Sequence, residues 1–392
     1  GRFGSPETLS GISWQNRLDT QESVRMGARV HPLPVALSLV IASGVAIAAQ
    51  TPVTELGLCL TDSLVARRAS VLPDGPEGLL GEFEPIAQGS RGDLFVRFFD
   101  GPPVIRRFDA SYEYQGDVGR EGQGPGEYLW PTSILADQES GEILVADSRQ
   151  RRLIRFASDG TFLGQVTTPF QVFVRGLWRV DEERFLVNGS TPTPPGDGRN
   201  VFLVHGDSIL QTFQTRDGLP EPGAAVVGQR RLLVLSRPNA PLRFIAAHRR
   251  KFRLDLYETG PSATRSFLYT TPWFEPWTRY GITDPNWVPP PFVADLIQVG
   301  PGLVGVVVNR VRDQWRDGVE VSSDGSTRIV DGSRTYEASI HVVDLGRGCV
   351  RSEGTVPIQV SATLNGELVG LRLDQFGRPS IEFWSIELVP IQ

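Results

Sequence analysis

Residues 131–166 read PTSILADQESGEILVADSRQRRLIRFASDGTFLGQV, and this stretch decides the fold. It predicts four short strands, PTSILAD, EILVAD, RLIRFAS and TFLGQV, because polar or glycine-containing turns separate the apolar runs. The Asp159-Gly160 pair between two apolar runs is a strong signal for a β-hairpin. Successive strands joined by turns this short predict a single antiparallel sheet.

The stretch resembles an NHL repeat, the unit of one β-propeller blade. In that repeat a glycine-led strand ending in VADS precedes an arginine-rich turn and an apolar strand closed by DG. The spacing recurs upstream, where GDLFVRF matches GEILVAD and VIRRFDAS matches LIRFASDG. Residues 119–131, GREGQGPGEYLWP, resemble the glycine-rich blade connector of bacterial six-bladed NHL-like propellers. A phosphate-cradling loop is the alternative for these glycines, but it requires a following helix, and none is predicted.

The rest of the chain contains weaker copies of this unit. Six units can be counted between Glu82 and Val389, which predicts an all-β, six-bladed β-propeller of four-stranded blades. The last unit has only about three strands, so we expect the segment 64–72 to add its outer strand and close the ring. A seven-bladed ring, with residues 54–80 in a separate unit, is the alternative.

The segment 26–49 has the order of a secretory signal peptide. Met26 and Arg29 precede an apolar run from Leu33 to Ile47, which ends in small residues. The run is shorter than the roughly 18 residues of a membrane anchor. We therefore expect a periplasmic or secreted protein without a membrane span in its mature chain.

Residues 1–25 are expected to be a start assigned too far upstream, and residues 50–392 to form a single propeller domain. Residues 1–49 hold four of the 39 basic and three of the 45 acidic residues, which leaves 35 and 42 and a net charge of −7. This balance argues against nucleic acid as a partner, since a nucleic-acid-binding face is basic. Cys59 and Cys349 lie near the two ends of the domain, where a disulfide would fasten the ring; two free thiols are the alternative.

Polar residues end the predicted second strand of each unit at nearly matched places: Arg97, Asp147, Asn188, Arg237, Asn309 and Arg372. Residues of this kind are more often turn formers that bond their own backbone. Gluconolactonase-like propellers hold a divalent metal with Glu, Asn and Asp from different blades. Asp147, Asn188 and Asn309 have the right types for that alternative, and no other cofactor is predicted.

Histidines form the zinc site of amidating-lyase propellers, another six-bladed group. His205, His248 and His341 are all predicted in or just after third strands, far from the axis of the ring, so they should not converge on one ion. The sequence has no GxSxG, HExxH or CxxC motif that would support a serine hydrolase, a metalloprotease or a redox enzyme.

The insertion 271–291, TPWFEPWTRYGITDPNWVPPP, is the sharpest candidate for a binding site. Aromatic rings beside polar groups suit a sugar, a peptide or another flat apolar ligand at the mouth of a pocket. The candidate ligand-binding residues are Trp273, Trp277, Arg279, Tyr280 and Trp287. The alternative is an aromatic plug that packs on a neighbouring blade.

The sequence thus favours a monomeric, exported binding module for a peptide, glycan or protein ligand at one face of the ring, without catalysis. The alternatives are a metal-dependent propeller hydrolase or lyase and a structural part of an envelope assembly. A propeller fold by itself does not imply an activity.

Overall fold

The computed structural model describes residues 51–74, 83–98, 103–168, 174, 176–181, 183–189, 201–213, 230–236, 240–258, 260–275, 287–323 and 327–391. Contacts group residues 50–392 into one compact unit. The described part of this unit contains one α-helix, α1 (Gly332–Thr335), and a 3-10 turn over Trp315–Gly318. None of the helices among the described residues has the length and apolarity needed to cross a membrane.

The strands of the first half follow one another along the chain as successive sheets. The described chain begins with β1 (Val53–Glu55), β2 (Gly57–Leu58) and β3 (Asp62–Pro73). Blade one consists of β4 (Phe83–Gln88), β5 (Leu94–Phe98), β6 (Ile105–Phe108) and β7 (Tyr114–Val118). A two-stranded connector follows, formed by β8 (Arg120–Glu121) and β9 (Glu127–Tyr128). Blade two consists of β10 (Pro131–Ala136), β11 (Ile143–Asp147), β12 (Arg152–Phe156) and β13 (Phe162–Thr167). Blade three consists of β14 (Gly176–Arg179), β15 (Arg184–Asn188), β16 (Val201–His205) and β17 (Ser208–Phe213).

The second half has longer strands and more additions. Blade four contains β18 (Arg230–Val234), β19 (Phe244–His248), β20 (Arg253–Tyr257) and β21 (Arg265–Leu268). Blade five contains β22 (Phe292–Gly300), β23 (Leu303–Val311), β26 (Tyr336–Asp344) and β27 (Cys349–Val356). A small ribbon of β24 (Val319–Val321) and β25 (Thr327–Ile329) projects between β23 and β26. Blade six contains β28 (Gln359–Leu364), β29 (Glu367–Leu373) and β30 (Pro379–Pro390).

These six sheets form a six-bladed β-propeller, as the repeat predicted. The first strands of the six blades line the centre of the ring, where they share one cavity. Six apolar clusters made of described residues lie between adjacent blades, one at each interface. Burial of apolar side chains between neighbouring sheets therefore holds the ring together.

The N-terminal segment 51–73 crosses the outer side of three blades, and we call it the strap. β1 pairs in parallel with β21 of blade four, and β2 pairs in parallel with β27 of blade five. β3 pairs antiparallel with β30 along nearly its whole length, from Asp62 opposite Pro390 to Pro73 opposite Ser380. The prediction that this segment supplies the outer strand of the final blade is confirmed, and the seven-bladed alternative is wrong because the strap forms no sheet of its own.

A disulfide joins Cys59, just after β2, to Cys349 at the start of β27, with the two Cα atoms 5.8 Å apart. It holds the strap on the outer strand of blade five. The bond links residues 290 positions apart, so it closes most of the chain into one covalent loop.

The structure corrects the strand assignment in blade four. The sequence RRLLV was predicted as a second strand ending at Arg237, but it forms β18, the innermost described strand of the blade. FIAAH, predicted as a third strand, is therefore the second strand, so the prediction for His248 is wrong. His205 and His341 do lie in third strands, β16 and β26. Arg237 lies outside the described residues.

Candidate functional site

The centre of the ring holds a cavity of about 200 Å³ that receives residues from the first strand of every blade. Its lining combines apolar side chains with hydroxyl groups and three charged residues. The polar and aromatic members are Phe83, Glu84, Ser133, Trp178, Arg231, Asp295, Ser361 and Thr363. Polar groups that converge from several elements on one concave site are a common feature of small-molecule sites.

β-Bulges set the orientation of several of these residues. The pairing with the second strand shifts between Phe83 and Ile86 in β4 and between Val293 and Asp295 in β22. Equivalent shifts occur near the start of β10 and of β28. A bulge adds one residue to a strand and turns its neighbours out of the normal alternation. The bulges therefore place polar residues in an inner strand on the cavity side.

An ion pair crosses the cavity. The Glu84 Oε1 atom of blade one lies 3.6 Å from the Arg231 Nη1 atom of blade four, the blade on the opposite side of the ring. The Glu84 side chain is 37% exposed and the Arg231 side chain 20% exposed. The two charges are thus partly shielded from water, and their attraction is stronger than that of a surface pair.

Asp295 in β22 is fixed by the neighbouring blade. Its Oδ2 atom accepts hydrogen bonds from the Thr363 amide at 2.8 Å and from the Thr363 hydroxyl at 3.0 Å. The Leu296 amide donates to Oδ1 at 2.9 Å. Burial raises the pKa of Asp295, while the charge of Arg231 and these hydrogen bonds act in the opposite direction.

The Trp178 ring belongs to β14 and lies back over its own strand. A Cβ atom added at Gly176 would lie 2.1 Å from the Cη2 atom of Trp178. Only glycine at position 176 leaves room for the ring in this place. The result is a flat aromatic wall beside the charged groups of the cavity.

Four polar residues at the ends of the second strands occupy matched positions, and Asp147 among them is held by local hydrogen bonds. Asp147, Asn188, His248 and Asn309 share one register position, since each pairs with the first residue of its blade's inner strand. The Asp147 carboxylate accepts from the amides of residues 129, 130, 149 and 150. These contacts are those of a turn former.

Asn309 links two blades instead of closing a turn. Its Nδ2 donates to the Val360 carbonyl at 2.8 Å, and the Val360 amide donates to its Oδ1 at 3.0 Å. Asp147, Asn188 and Asn309, the residues of the metal alternative, belong to three different blades. Within the described ranges, no group of three or more His, Cys, Asp or Glu side chains is arranged to hold a metal ion.

The described ends of the insertion 271–291 pack against the blades. Phe274 is buried in the cluster between blades four and five. The Trp273 ring stacks on His341 at 5.2 Å between centroids, and the Arg310 guanidinium lies 5.4 Å from the Trp273 centroid. Trp287 contacts the ring of Trp315 edge to face at 6.4 Å. Trp277, Arg279 and Tyr280 lie outside the described residues.

His341 is the centre of a polar network between blades four and five. Its Nε2 lies 2.9 Å from the Ser339 hydroxyl, and its Nδ1 lies 2.8 Å from Oε1 of Glu353. Tyr269 from blade four donates its hydroxyl hydrogen to the same Glu353 oxygen at 2.8 Å. The order Ser–His–Glu matches that of a hydrolase triad, but Ser339 is only 6% exposed, whereas the exposed end of the network is the carboxylate. A nucleophile must meet its substrate, so this arrangement joins blades and does not form an acyl-transfer site.

The carboxylate of Glu127 occupies the turn of the glycine-rich connector 119–131. The Gly124 amide donates to Oε2 of Glu127 at 2.7 Å, and the Arg120 Nε donates to Oε1 at 2.7 Å. These hydrogen bonds lower the pKa of Glu127. The carboxylate thus takes the place that a phosphate would occupy, which agrees with a structural connector.

The sequence patterns did not indicate the cavity residues Glu84, Trp178, Arg231 and Asp295. A signal was present, because Glu84 and Asp295 are acids inside apolar strand sequences, FEPIA and FVADLI. The bulges that turn these acids toward the axis depend on pairing with the second strands. That pairing cannot be read from one strand alone.

Comparison with known proteins supports the fold. A family model described as "6-bladed beta-propeller" matches residues 107–205. The match names the fold: a six-bladed propeller. No match was found among curated proteins.

Two crystal structures from Bacteroides resemble most of the chain. One is a "Putative exported protein" from Bacteroides fragilis, with 11% sequence identity and a TM-score of 0.53 over 86% of this chain and 99% of that chain. The other is a member of the duf4221 family from Bacteroides vulgatus, with 10% identity and a TM-score of 0.55 over 84% of this chain and 99% of that chain. At these identities the likeness shows the fold alone.

Proposed function

We propose that this chain is an exported binding module whose ligand, a small polar molecule or the end of a peptide or glycan, enters the central cavity of the propeller. The observation that supports this function most is the set of charged groups in that cavity. Glu84, Arg231 and Asp295 come from three blades and meet at the axis. Burying charged groups costs free energy, so such a group of residues is typical of a site where a polar ligand compensates them.

Three features support export. The segment 26–49 has the order of a signal peptide. A neighbour of similar fold is itself named for export. A disulfide between Cys59 and Cys349 fits an oxidising compartment such as the periplasm or the cell exterior.

A screen of small polar compounds, glycans and short peptides tests this function. Binding would be detected by a rise in the melting temperature of the purified chain and then measured by calorimetry. Trp178→Ala and Arg231→Gln are expected to weaken a ligand found in this way at least about tenfold, the effect of losing one buried contact of about 1.4 kcal/mol. A ligand that both variants bind as tightly as the original chain does would place the site elsewhere.

A further inference from the structure

The three charged groups of the cavity indicate the chemistry of the ligand. We infer that the central cavity takes a ligand with a protonated amine beside a carboxylate or carbonyl group, as in a free amino acid or the amino end of a peptide. This inference rests on the proposed function, because it assumes that the cavity is the binding site.

Carboxyl groups outnumber cations around the cavity. Among its lining residues Arg231 is the single basic side chain, whereas Glu84 and Asp295 are both acidic. A ligand ammonium group is therefore attracted toward the carboxyl groups of Glu84 and Asp295. An anion without an amine would meet two carboxyl groups for one guanidinium.

Asp295 is a fixed acceptor. Thr363 and Leu296 supply three hydrogen bonds to its two oxygens. A carboxylate has about four acceptor positions, which leaves about one for a ligand N–H. Because Thr363 holds the group in place, little side-chain entropy is lost when the amine binds.

Arg231 supplies the complementary half of the site. Its distance of 3.6 Å from Glu84 is longer than a direct hydrogen bond, and a guanidinium has five N–H donors. A carboxylate or carbonyl oxygen of the ligand can therefore accept from Arg231 while its amine lies toward the acids.

Trp178 completes the site on its apolar side. The ring is held over Gly176, and Trp178 lines the same cavity as the acids. An aromatic face attracts a nearby ammonium group and also packs against methylene groups. The cavity of about 200 Å³ suits a ligand of metabolite size or the end of a longer chain.

Calorimetry with a matched set of probes tests the inference on the purified full chain. The probes are L-leucine, L-leucine methyl ester, leucylglycine, N-acetyl-L-leucine and glucose. We expect the first or the third to bind, and N-acetylation to weaken binding at least tenfold because it removes the ammonium charge. Tight binding of L-leucine and loss with the ester indicates a free amino acid, and equal binding of leucylglycine indicates a peptide end.

Variants locate the binding. Glu84→Gln and Arg231→Gln are expected to weaken the bound probe at least tenfold, while the exposed-residue controls Glu320→Gln and Arg328→Gln leave it unchanged. Glutamine has nearly the same size and shape as glutamate. Glu84→Gln therefore still tests the site if Arg231→Gln lowers the melting temperature of the protein. Equal binding of the acetylated and free probes, or binding of glucose alone, would overturn the amine inference but leave a binding function in the cavity. Failure of every amine probe, together with failure of the wider screen described above, would overturn both.

Discussion

Blades one to three and blades four to six are built on the same plan but are held in different ways. The first three blades end in their own fourth strands, and their outer edges carry exposed apolar side chains such as Leu163 and Leu210. The strap crosses the outer edges of blades four and five and forms the outer strand of blade six. The half that the strap covers also contains the disulfide.

The half without the strap follows the sequence repeat more closely than the half that the strap covers. The repeat is clearest at residues 119–166, and the family model matches residues 107–205, which belong to blades one to three. Blades four to six follow the repeat less closely and carry the long additions at 271–291 and 312–334. The strap and the disulfide thus hold the blades whose sequences match the repeat least.

Removal of the disulfide is expected to change the free energy of unfolding more than the next two changes do. Replacing both Cys59 and Cys349 with serine should lower the free energy of unfolding by about 2–5 kcal/mol, because the unfolded chain regains the freedom of a very long loop. The measurement is chemical denaturation of the variant and of the original protein under non-reducing conditions. A midpoint unchanged from that of the original protein would show that the strap holds the blades without its covalent bond.

The Glu353 network between blades four and five is expected to give a smaller, pH-dependent effect. The hydrogen bonds from His341 and then Tyr269 lower the pKa of Glu353 in the folded state. A carboxyl group with a lowered pKa stabilises the fold above its unfolded pKa of roughly 4.3, and this contribution is lost as the pH falls through the lower, folded value. Glu353→Gln should therefore reduce stability by about 1 kcal/mol at pH 7, a figure kept small because the side chain is about one third exposed.

Thermal melting between pH 3 and pH 7 checks this effect. The difference between Glu353→Gln and the original protein should shrink as the pH falls below about 4. Glu320→Gln, an exposed acid on the β24–β25 ribbon, is the control and should melt like the original protein throughout. A difference that stays constant across this range would mean that the charge of Glu353 does not contribute.

The smallest effect is expected at the bare edge of blade two. Leu163 in β13 is 49% exposed, whereas Leu72 in β3 is 1% exposed, although both lie in outermost strands. Leu163→Ala should change stability by no more than about 0.5 kcal/mol, and Leu72→Ala should cost about 2–5 kcal/mol because it leaves a cavity in the core. Denaturation of both variants compares the two halves directly, and similar costs would contradict the difference in how their edges are covered.

Sequence patterns predicted the architecture well and the candidate site poorly. Strand alternation and the Asp159-Gly160 turn are local, and the hairpin forms there with Gly160 at a φ of 91°. The outer strand of blade six, β3, was predicted because a ring must close and one blade lacked a strand, whereas the pairing of β1 and β2 with blades four and five was not. Blade four was misassigned because RRLLV and FIAAH are both short apolar runs, and the neighbouring sheet decides which of them is innermost.

The cavity depends on contacts that no local pattern contains. Arg231 and Glu84 are far apart in the chain and meet only because blades one and four face each other across the ring. The insertion 271–291 was predicted as a binding site because its aromatic residues are concentrated in one stretch. Its described rings are used in packing, on His341 and on Trp315.

The pairing of β3 with β30 has a consequence for the order of events during synthesis. β3 lies near the start of the domain and finds its partner β30 only when the last described strand has been made, since almost the whole domain separates the two. No N-terminal portion of the chain can close the ring by itself, so every shorter nascent chain keeps an unpaired β3. Contacts this distant in sequence slow folding. Until β30 has been made, β3 lacks the partner that it has in the folded ring, and an unpaired strand edge can pair with another chain.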